Sequence, residues 1–398
     1  MSRLYYTEPW RREFDAIVIA VTPDQDRFRV RLDRTAFYPT SGGQPHDTGT
    51  LGGARVTEVL ETDEGDVEHL VAEGTLAAGQ RVQGQIDWPR RFDHMQQHTG
   101  QHVLSAALHR LYDVRTMSFH LGAEVSTIDL ARELSQPEIA GAAAEANRIV
   151  WDDRPVTIRF VSEDEVARLP LRKEPVKGGR LRLIEVEGFD LSACGGTHVS
   201  RTGAIGMIGV RGWERFRGGT RLAFVCGGRA LAAFEALRDV VDASARPLTV
   251  HPRDLPGAIE RLQEERKALQ REGRVLGERL AEHEAARLAA TAETVGDVHA
   301  VLVSLDGYDA NGLKAVATAA VRAGAGAAVV VSANRPLLVV AARGAEGGSV
   351  DCGALVRALV ARFGGKGGGR PDLAQGGGLD AAPDAVVAAA RELLLQRP

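Results

Sequence analysis

Hydrophobic and polar positions along the chain change period several times, and each change predicts a change of element. Between residues 14 and 88 the apolar positions alternate with polar ones or form short β-branched runs, at Ala16–Val21, Phe28–Leu32, Arg55–Leu60 and Val82–Ile86. Gly, Asp and Pro punctuate them. Runs of period two separated by turn residues predict short strands, and this many in so short a span predicts a small β-barrel. From Arg91 to Leu111 the spacing becomes three and four, with Val103, Leu104, Ala107, Leu108 and Leu111 on one face, which predicts a helix. A second helix is expected at Gln136–Val150, followed by strands at Val156–Val161, Leu181–Val186 and Leu222–Cys226. Together these make an α+β segment that closes near Arg246 and Pro247.

Asp254 to about Ala290 is a charged helical stretch with Leu255, Leu262, Leu269 and Leu276 at strict sevens. The companion series Ile259, Arg266, Gly273, Leu280 and Arg287 is mixed, so only half a coiled-coil seam is present. The stretch fits a dimer element or a spacer helix equally well. The last hundred residues predict an α/β unit, with strand Ala300–Ser304, helix Asn311–Ala323, paired strands Ala327–Ser332 and Leu337–Ala342, and helices beyond Asp351 and Pro383. Between those helices the run from Gly364 to Gly378 is too rich in glycine for a regular element and is read as a loop. The fold class is therefore α+β, in four parts: an N-terminal barrel over 1–90, an α+β domain over 91–246, a long helix over 247–295 and an α/β domain over 296–398.

Composition narrows the function classes. A chain of 398 residues, 44% hydrophobic and 26% charged, has the make-up of a soluble protein with proper cores. No apolar run is long enough to cross a membrane, and Met1 to Arg11 does not read as a signal peptide, so a cytoplasmic protein is expected. Three scattered cysteines, Cys194, Cys226 and Cys352, exclude a disulfide framework. A net charge of −4 excludes a protein that coats nucleic acid indiscriminately, yet two basic strips stand out. One contains Arg168, Arg172, Lys173, Lys177, Arg180 and Arg182; the other contains Arg201, Arg211, Arg215, Arg217 and Arg221.

The predicted first helix carries His98-Thr-Gly-Gln-His102, two imidazoles one turn apart on one side, with His94 a turn earlier. Spacing alone does not choose a pair from the three. Far along the chain Cys194-Gly-Gly-Thr-His198 has small residues that permit a tight turn aiming a thiolate and an imidazole at one point. Three nitrogens and one sulfur suit Zn²⁺ better than Mg²⁺, Ca²⁺ or a redox cluster. A zinc peptidase of the usual kind has Glu directly after the first His, and Thr99 stands there instead. In the barrel, Phe37-Tyr-Pro-Thr-Ser-Gly-Gly-Gln-Pro-His-Asp-Thr-Gly49 is an unusual hairpin, in which Gly42 and Gly43 let a backbone approach a ligand and Gln44 offers both donor and acceptor.

Four ordered stretches carry a family resemblance: Ser41 to Gly49, Arg91 to His102, Ser118 to Asp129 and Ser192 to His198, with Gly367 to Gln375 as a fifth. On these the chain resembles the editing domain of alanyl-tRNA synthetase and its free-standing relatives, the alanyl-tRNA editing proteins, in their long form. The resemblance implies that His98, His102, Cys194 and His198 hold one Zn²⁺ per chain and that His94 either supports a ligand from behind or is structural. It implies a substrate, alanine tRNA mischarged with serine or glycine. The chain starts at the barrel with no class II catalytic domain before it, so it is expected to deacylate tRNA and not to charge it. Four protein ligands close a tetrahedron, which leaves open whether zinc activates water or positions the substrate. Gln44, with the amides near Gly42 and Gly43, is the candidate for orienting water. Accepting serine while rejecting alanine requires a reward for a hydroxyl, and Thr127, Thr116 and Gln44 are the candidates. Arg172 and Lys173, with Lys366 and Arg370 in the C-terminal domain, are candidate tRNA contacts; a homodimer through the helix and that domain is the competing use. Two further readings stand at this point: a non-catalytic, zinc-stabilised tRNA-binding protein, and an editing hydrolase for another misacylated tRNA.

Overall fold

The alternating segment closes on itself. Strands β1 (Glu13–Asp24), β2 (Arg27–Leu32), β3 (Gly49–Leu51), β4 (Ala54–Glu61), β5 (Val67–Val71) and β6 (Arg81–Ile86) form a closed barrel in the order β1-β2-β5-β4-β3-β6. Period two does the sorting: along β6, Val82, Gly84 and Ile86 turn inward while Arg81, Gln83 and Gln85 turn outward. Phe14, Val18, Val30, Leu32, Val56 and Val82 fill the interior. The pattern had not marked β3, which has only three residues, or β5, where His69 interrupts the apolar run.

The computed structural model describes residues 1–72, 76–166, 168–172 and 181–396. The chain divides into two compact units, Met1–Ala243 and Ser244–Pro398. In the first, helix α1 (Trp88–Tyr112) is the central element. Pro89 sits in its first turn, where the missing N–H costs nothing, and Asp113 ends it in the left-handed region at φ 52°. From Met95 to Leu108 every residue but Gln96 is buried, polar ones included, so the helix is enclosed on all sides. On one side lies the sheet β12-β13-β8-β7, made of β7 (Thr116–Leu121), β8 (Ser126–Leu130), β12 (Ile208–Phe216) and β13 (Gly219–Cys226). A second helix, α2 (Gln136–Trp151), opens with a Ser135/Glu138 capping box and packs alongside. A second sheet is made of β9 (Val156–Val161), β10 (Leu181–Val186) and β11 (Asp190–Ala193). Gln97 stitches helix to sheet by meeting both backbone groups of Cys226, at 2.8 and 3.0 Å.

One buried ion pair joins α1 to the barrel. Arg91 is wholly buried, and its Nε donates to both Asp47 oxygens at 2.9 and 3.0 Å. Nη2 reaches Asp47 as well, Nη1 reaches the Pro9 carbonyl at 2.8 Å, and Asp47 also accepts from the Tyr38 amide at 2.6 Å. Every charge is thus answered by several hydrogen bonds, the condition under which a buried pair is tolerated.

The second unit opens with α4 (Leu255–Ala289), which follows the helix α3 (Gly228–Ala245) in sequence. Leu262, Leu269 and Leu276 on α4 stand more than half exposed at 51%, 66% and 56%. A six-stranded sheet follows in the order β14-β15-β16-β17-β19-β18, with β14 (Glu293–Val295), β15 (Val298–Leu305), β16 (Ala327–Ser332), β17 (Leu337–Arg343), β18 (Lys366–Gly369) and β19 (Leu373–Leu379). Helices α5 (Ala310–Arg322), α6 (Cys352–Phe363) and α7 (Pro383–Leu395) complete the unit. The glycine-rich run read as a loop is instead mostly strand: Gly367 pairs Gly376 and Gly369 pairs Ala374 in the β18–β19 ladder. The physical reason is close approach. A Cβ at Gly367 would stand 2.6 Å from the Gly376 Cα, so the ladder forms because side chains are absent there.

His69 gives the barrel a pH dependence. Its ring lies inside, with Nε2 2.8 Å from Thr35 Oγ1 and Nδ1 2.9 Å from the Val30 carbonyl, and burial pulls it down to about 4. A folded-state value below the unfolded one means that the neutral ring's contribution is complete above about pH 6.5 and is lost as pH falls toward 4, by about 3 kcal/mol. The variant His69→Gln is expected to lose less stability than the wild type between pH 7 and 4.5 in urea denaturation; equal losses in both proteins exclude this role.

Candidate metal centre

Four donor atoms meet beside the middle of α1. The Nε2 atoms of His98 and His198 each lie 3.4 Å from Cys194 Sγ, and the donor atoms of His98, His102, Cys194 and His198 all fall within 4.8 Å of one another. Donors around a tetrahedral Zn²⁺, with bonds of about 2.0–2.3 Å, stand roughly 3.3–3.6 Å apart. The three histidines are buried and Cys194 is half-buried.

The hydrogen bonds behind the rings decide what can sit between them. His98 Nδ1 lies 2.8 Å from Gln44 Oε1, which also accepts the Thr197 amide at 3.0 Å; because a backbone N–H only donates, the atom facing His98 is an acceptor. His102 Nδ1 lies 3.2 Å from Asp190 Oδ2, a carboxylate acceptor. Thr99 donates its hydroxyl proton to the Met95 carbonyl at 2.8 Å, so it accepts from His198 Nδ1 at 3.2 Å and from the Val199 amide at 3.1 Å. All three rings therefore carry their proton on Nδ1. Their bare Nε2 lone pairs all turn toward one sulfur, an arrangement that repels itself unless a cation lies among them. Protonating the rings instead would bury several positive charges. The donor set fits a zinc ion.

The electrostatics agree. Burial pushes the Cys194 thiol up, but the facing imidazoles of His98, His198 and His102 hold it well below the ordinary thiol range. Burial pulls His198 down to about 3, while for His102 the carboxylate of Asp190 and the nearby Cys194 outweigh burial and raise it. Burial opposes ionisation of Asp190, yet His102 and Arg172 keep it well below the usual carboxylate range. Arg182 braces the Cys194 turn from behind, donating to the Cys194 and Gly196 carbonyls at 2.6 and 2.9 Å.

The structure brings some of the sequence-derived residues to this centre and leaves others away from it. Gln44 is fully buried behind His98, with Nε2 on Thr197 Oγ1 at 2.9 Å. Gly42 and Gly43, at φ 54° and 82°, form the exposed turn between Ser41 and Gln44, whose backbones exchange two hydrogen bonds; the Gly43 carbonyl accepts from Leu121 at 3.1 Å. His94 is buried one turn from His98, outside the cluster, and burial with Arg90 pulls it down to about 3. Thr116 donates to Ser105 Oγ at 2.7 Å and lines a cleft of about 490 Å³. Thr127 pairs with His120 on the face of β8 opposite to buried Ser126, Ile128 and Leu130. Arg172 is bonded to Asp190, and Lys173 falls outside the described residues, as do Lys177 and Arg180. In the second strip, Arg201, Arg215 and Arg221 are paired with Asp153, Glu133 and Asp129. Lys366 opens the strand β18 of the second unit and Arg370 follows it, with Arg370 paired to Asp372 at 3.1 Å. Sequence reasoning had not singled out Asp190, had noted Thr99 only as the residue standing in place of a peptidase Glu, and had read Arg182 only as part of a basic strip.

Comparison with known proteins adds a lineage. Residues 13–90 match the model of tRNA synthetases class II (A), residues 181–222 that of the threonyl and alanyl tRNA synthetase second additional domain, and residues 297–396 that of the DHHA1 domain. The alanyl-tRNA editing protein AlaX-L of Pyrococcus horikoshii is 32% identical over 99% of this chain and 98% of its own length. The chain belongs to the long-form alanyl-tRNA editing proteins. Alanine–tRNA ligases of Methanoculleus marisnigri and Pyrococcus abyssi are 37% and 33% identical over 96% and 94% of this chain, which spans about two fifths of their lengths, 42% and 41%. The segment shared with the second additional domain contains Cys194 and His198, half of the cluster.

Gly196 tests the geometry. A Cβ there would lie 2.1 Å from His98 Cε1 and 3.0 Å from Gln44 Oε1. The variant Gly196→Ala is expected to fold yet to retain well under one zinc per chain by elemental analysis; full occupancy would contradict the packing described.

Proposed function

We propose that this protein is a zinc-dependent aminoacyl-tRNA hydrolase that removes serine, and also glycine, from mischarged alanine tRNA, working in the cytoplasm and without aminoacylation activity. The observation that carries the reading is the set of three imidazoles committed through Nδ1 and facing one cysteine, in a chain of the editing family. No helix among the described residues is long and apolar enough to cross a membrane.

The scissile bond is an ester to the terminal ribose, already an activated acyl group, so the site needs mainly to orient water and stabilise the developing charge. Held by His98, His102, Cys194 and His198, zinc would supply positive charge for polarising the ester or for positioning the substrate. Gln44, with its carbonyl oxygen engaged twice, serves as the group that holds His98 in one tautomer. The exposed Gly42–Gly43 turn is then the segment that presents backbone amides to water.

For recognition of the serine hydroxyl, Thr116 is the candidate that lines a cleft. Its oxygen keeps acceptor capacity after donating to Ser105, and it faces a cleft whose other walls include His109, Arg115 and Arg172. Thr127 is disfavoured by its outward face. Lys366 and Arg370, exposed at the glycine-rich edge, suit contacts with tRNA phosphates. The exposed leucines of α4 support a homodimer through that helix.

The reading is tested by a panel of charged tRNAs, each assayed for release of its amino acid. Serine released from alanine tRNA, with correctly charged alanine tRNA left intact, is expected; tRNA binding without release would favour a structural zinc protein. Replacing Cys194 with Ala should remove zinc and slow release at least about a hundredfold, and full activity in a zinc-free variant defeats the proposal. Thr116→Val should lower kcat/KM for the serine ester roughly tenfold or more while leaving the glycine ester nearly unchanged. Equal losses on both esters would remove Thr116 from substrate recognition.

A further inference from the structure

Arg172 looks at first like a free cation available to RNA. It lines two clefts of about 550 and 490 Å³, together with His109 and Leu171. Its guanidinium, however, is already engaged by a carboxylate of the protein. Nε donates to Asp190 Oδ1 at 2.7 Å and Nη2 to Oδ2 at 3.2 Å, the two-pronged geometry that fixes a carboxylate plane as well as its position. The backbone is tied in the same place, with the Arg172 amide on the Leu191 carbonyl at 3.1 Å. Ser192 Oγ donates to both oxygens of the same carboxylate, at 3.2 and 3.0 Å. The Arg172 and Asp190 side chains are only 14% and 1% exposed, so this pair is little screened by solvent.

Asp190 Oδ2 in turn meets His102 Nδ1 at 3.2 Å. The three histidines thus lean on chemically different acceptors: an amide oxygen for His98, a hydroxyl for His198 and a carboxylate for His102. A carboxylate behind an imidazole makes it a stronger donor and fixes its plane. Among the three acceptors, only this carboxylate has a cation clamped to it.

We propose that Arg172 and Asp190 are positioning residues of the metal centre, in which Arg172, touching neither ion nor ligand, sets how firmly His102 holds zinc by fixing the Asp190 carboxylate. The proposal rests on the zinc reading but not on the identity of the substrate. Arg172 is thereby assigned to the metal and not to tRNA.

Zinc affinity of the full-length protein, measured by chelator competition without tRNA, together with the absorption band of the Co²⁺-loaded protein, tests it. Asp190→Asn is expected to weaken zinc binding roughly 10- to 100-fold, and Arg172→Met roughly tenfold, with the cobalt band shifted in both. Because both act through one carboxylate, the double variant should bind within about twofold of Asp190→Asn alone. Arg172→Lys keeps the charge without the fork and should fall between wild type and Arg172→Met; it carries the test even if Asp190→Asn fails to fold. Wild-type affinity in Arg172→Met, coupled with a raised KM for tRNA, overturns the proposal in favour of an RNA contact. Losses that multiply in the double variant overturn it too. Wild-type protein that takes up no zinc overturns the metal reading itself, a result distinct from either.

Discussion

The site depends on a charge pair that never meets water. Arg91 and Asp47, at 0% and 1% side-chain exposure, tie the first turns of α1 to the barrel segment that carries Gln44. Removing one partner of such a pair leaves the other buried and unanswered, at roughly 3–5 kcal/mol. The pair also has a directional effect. It fixes where the helix leaves the barrel, and two turns later His98 therefore arrives in front of the Gln44 amide and not past it. Fold and site share this joint: the barrel supplies the acceptor for one histidine of the cluster, and the helix supplies the histidine.

Around the sulfur, the rings are organised from outside inward. Each Nδ1 is engaged by a group from a different stretch of chain: the hairpin before β3, the helix itself, and the start of β11. The rings could not face Cys194 with bare nitrogens if those outer groups were donors. Gly196 contributes by absence, since its missing side chain is the space that the His98 ring fills.

Much of this was legible in the amino-acid sequence, for reasons that differ by element. The long first helix declared itself through spacing, and the cysteine motif through small residues around a thiol, while the choice of His98 and His102 over His94 came from family resemblance. The structure keeps His94 out of the cluster. Strand parity was harder. Whether Thr127 faces the core or the solvent depends on register with β7, and a one-residue difference reverses the answer. Asp190 was invisible because its partner His102 lies 88 residues away and no periodicity links them. Arg172 stood out only as one of a run of positive residues, and the carboxylate that it grips is seen only in the structure.

The glycine strand at the edge of the second unit has a consequence of its own. Neighbouring strands are normally locked in step by side chains that must land on the correct face, and β18 has only Lys366 to do this. Here the backbones themselves do it: an added Cβ at Gly367 would stand 2.6 Å from the Gly376 Cα and 2.9 Å from Val356 Cγ1 on α6, and one at Gly369 would stand 2.5 Å from the Ala374 Cα. This border of the sheet is thus held by a fit between bare backbones, and any side chain added along it would push the strand off its neighbours.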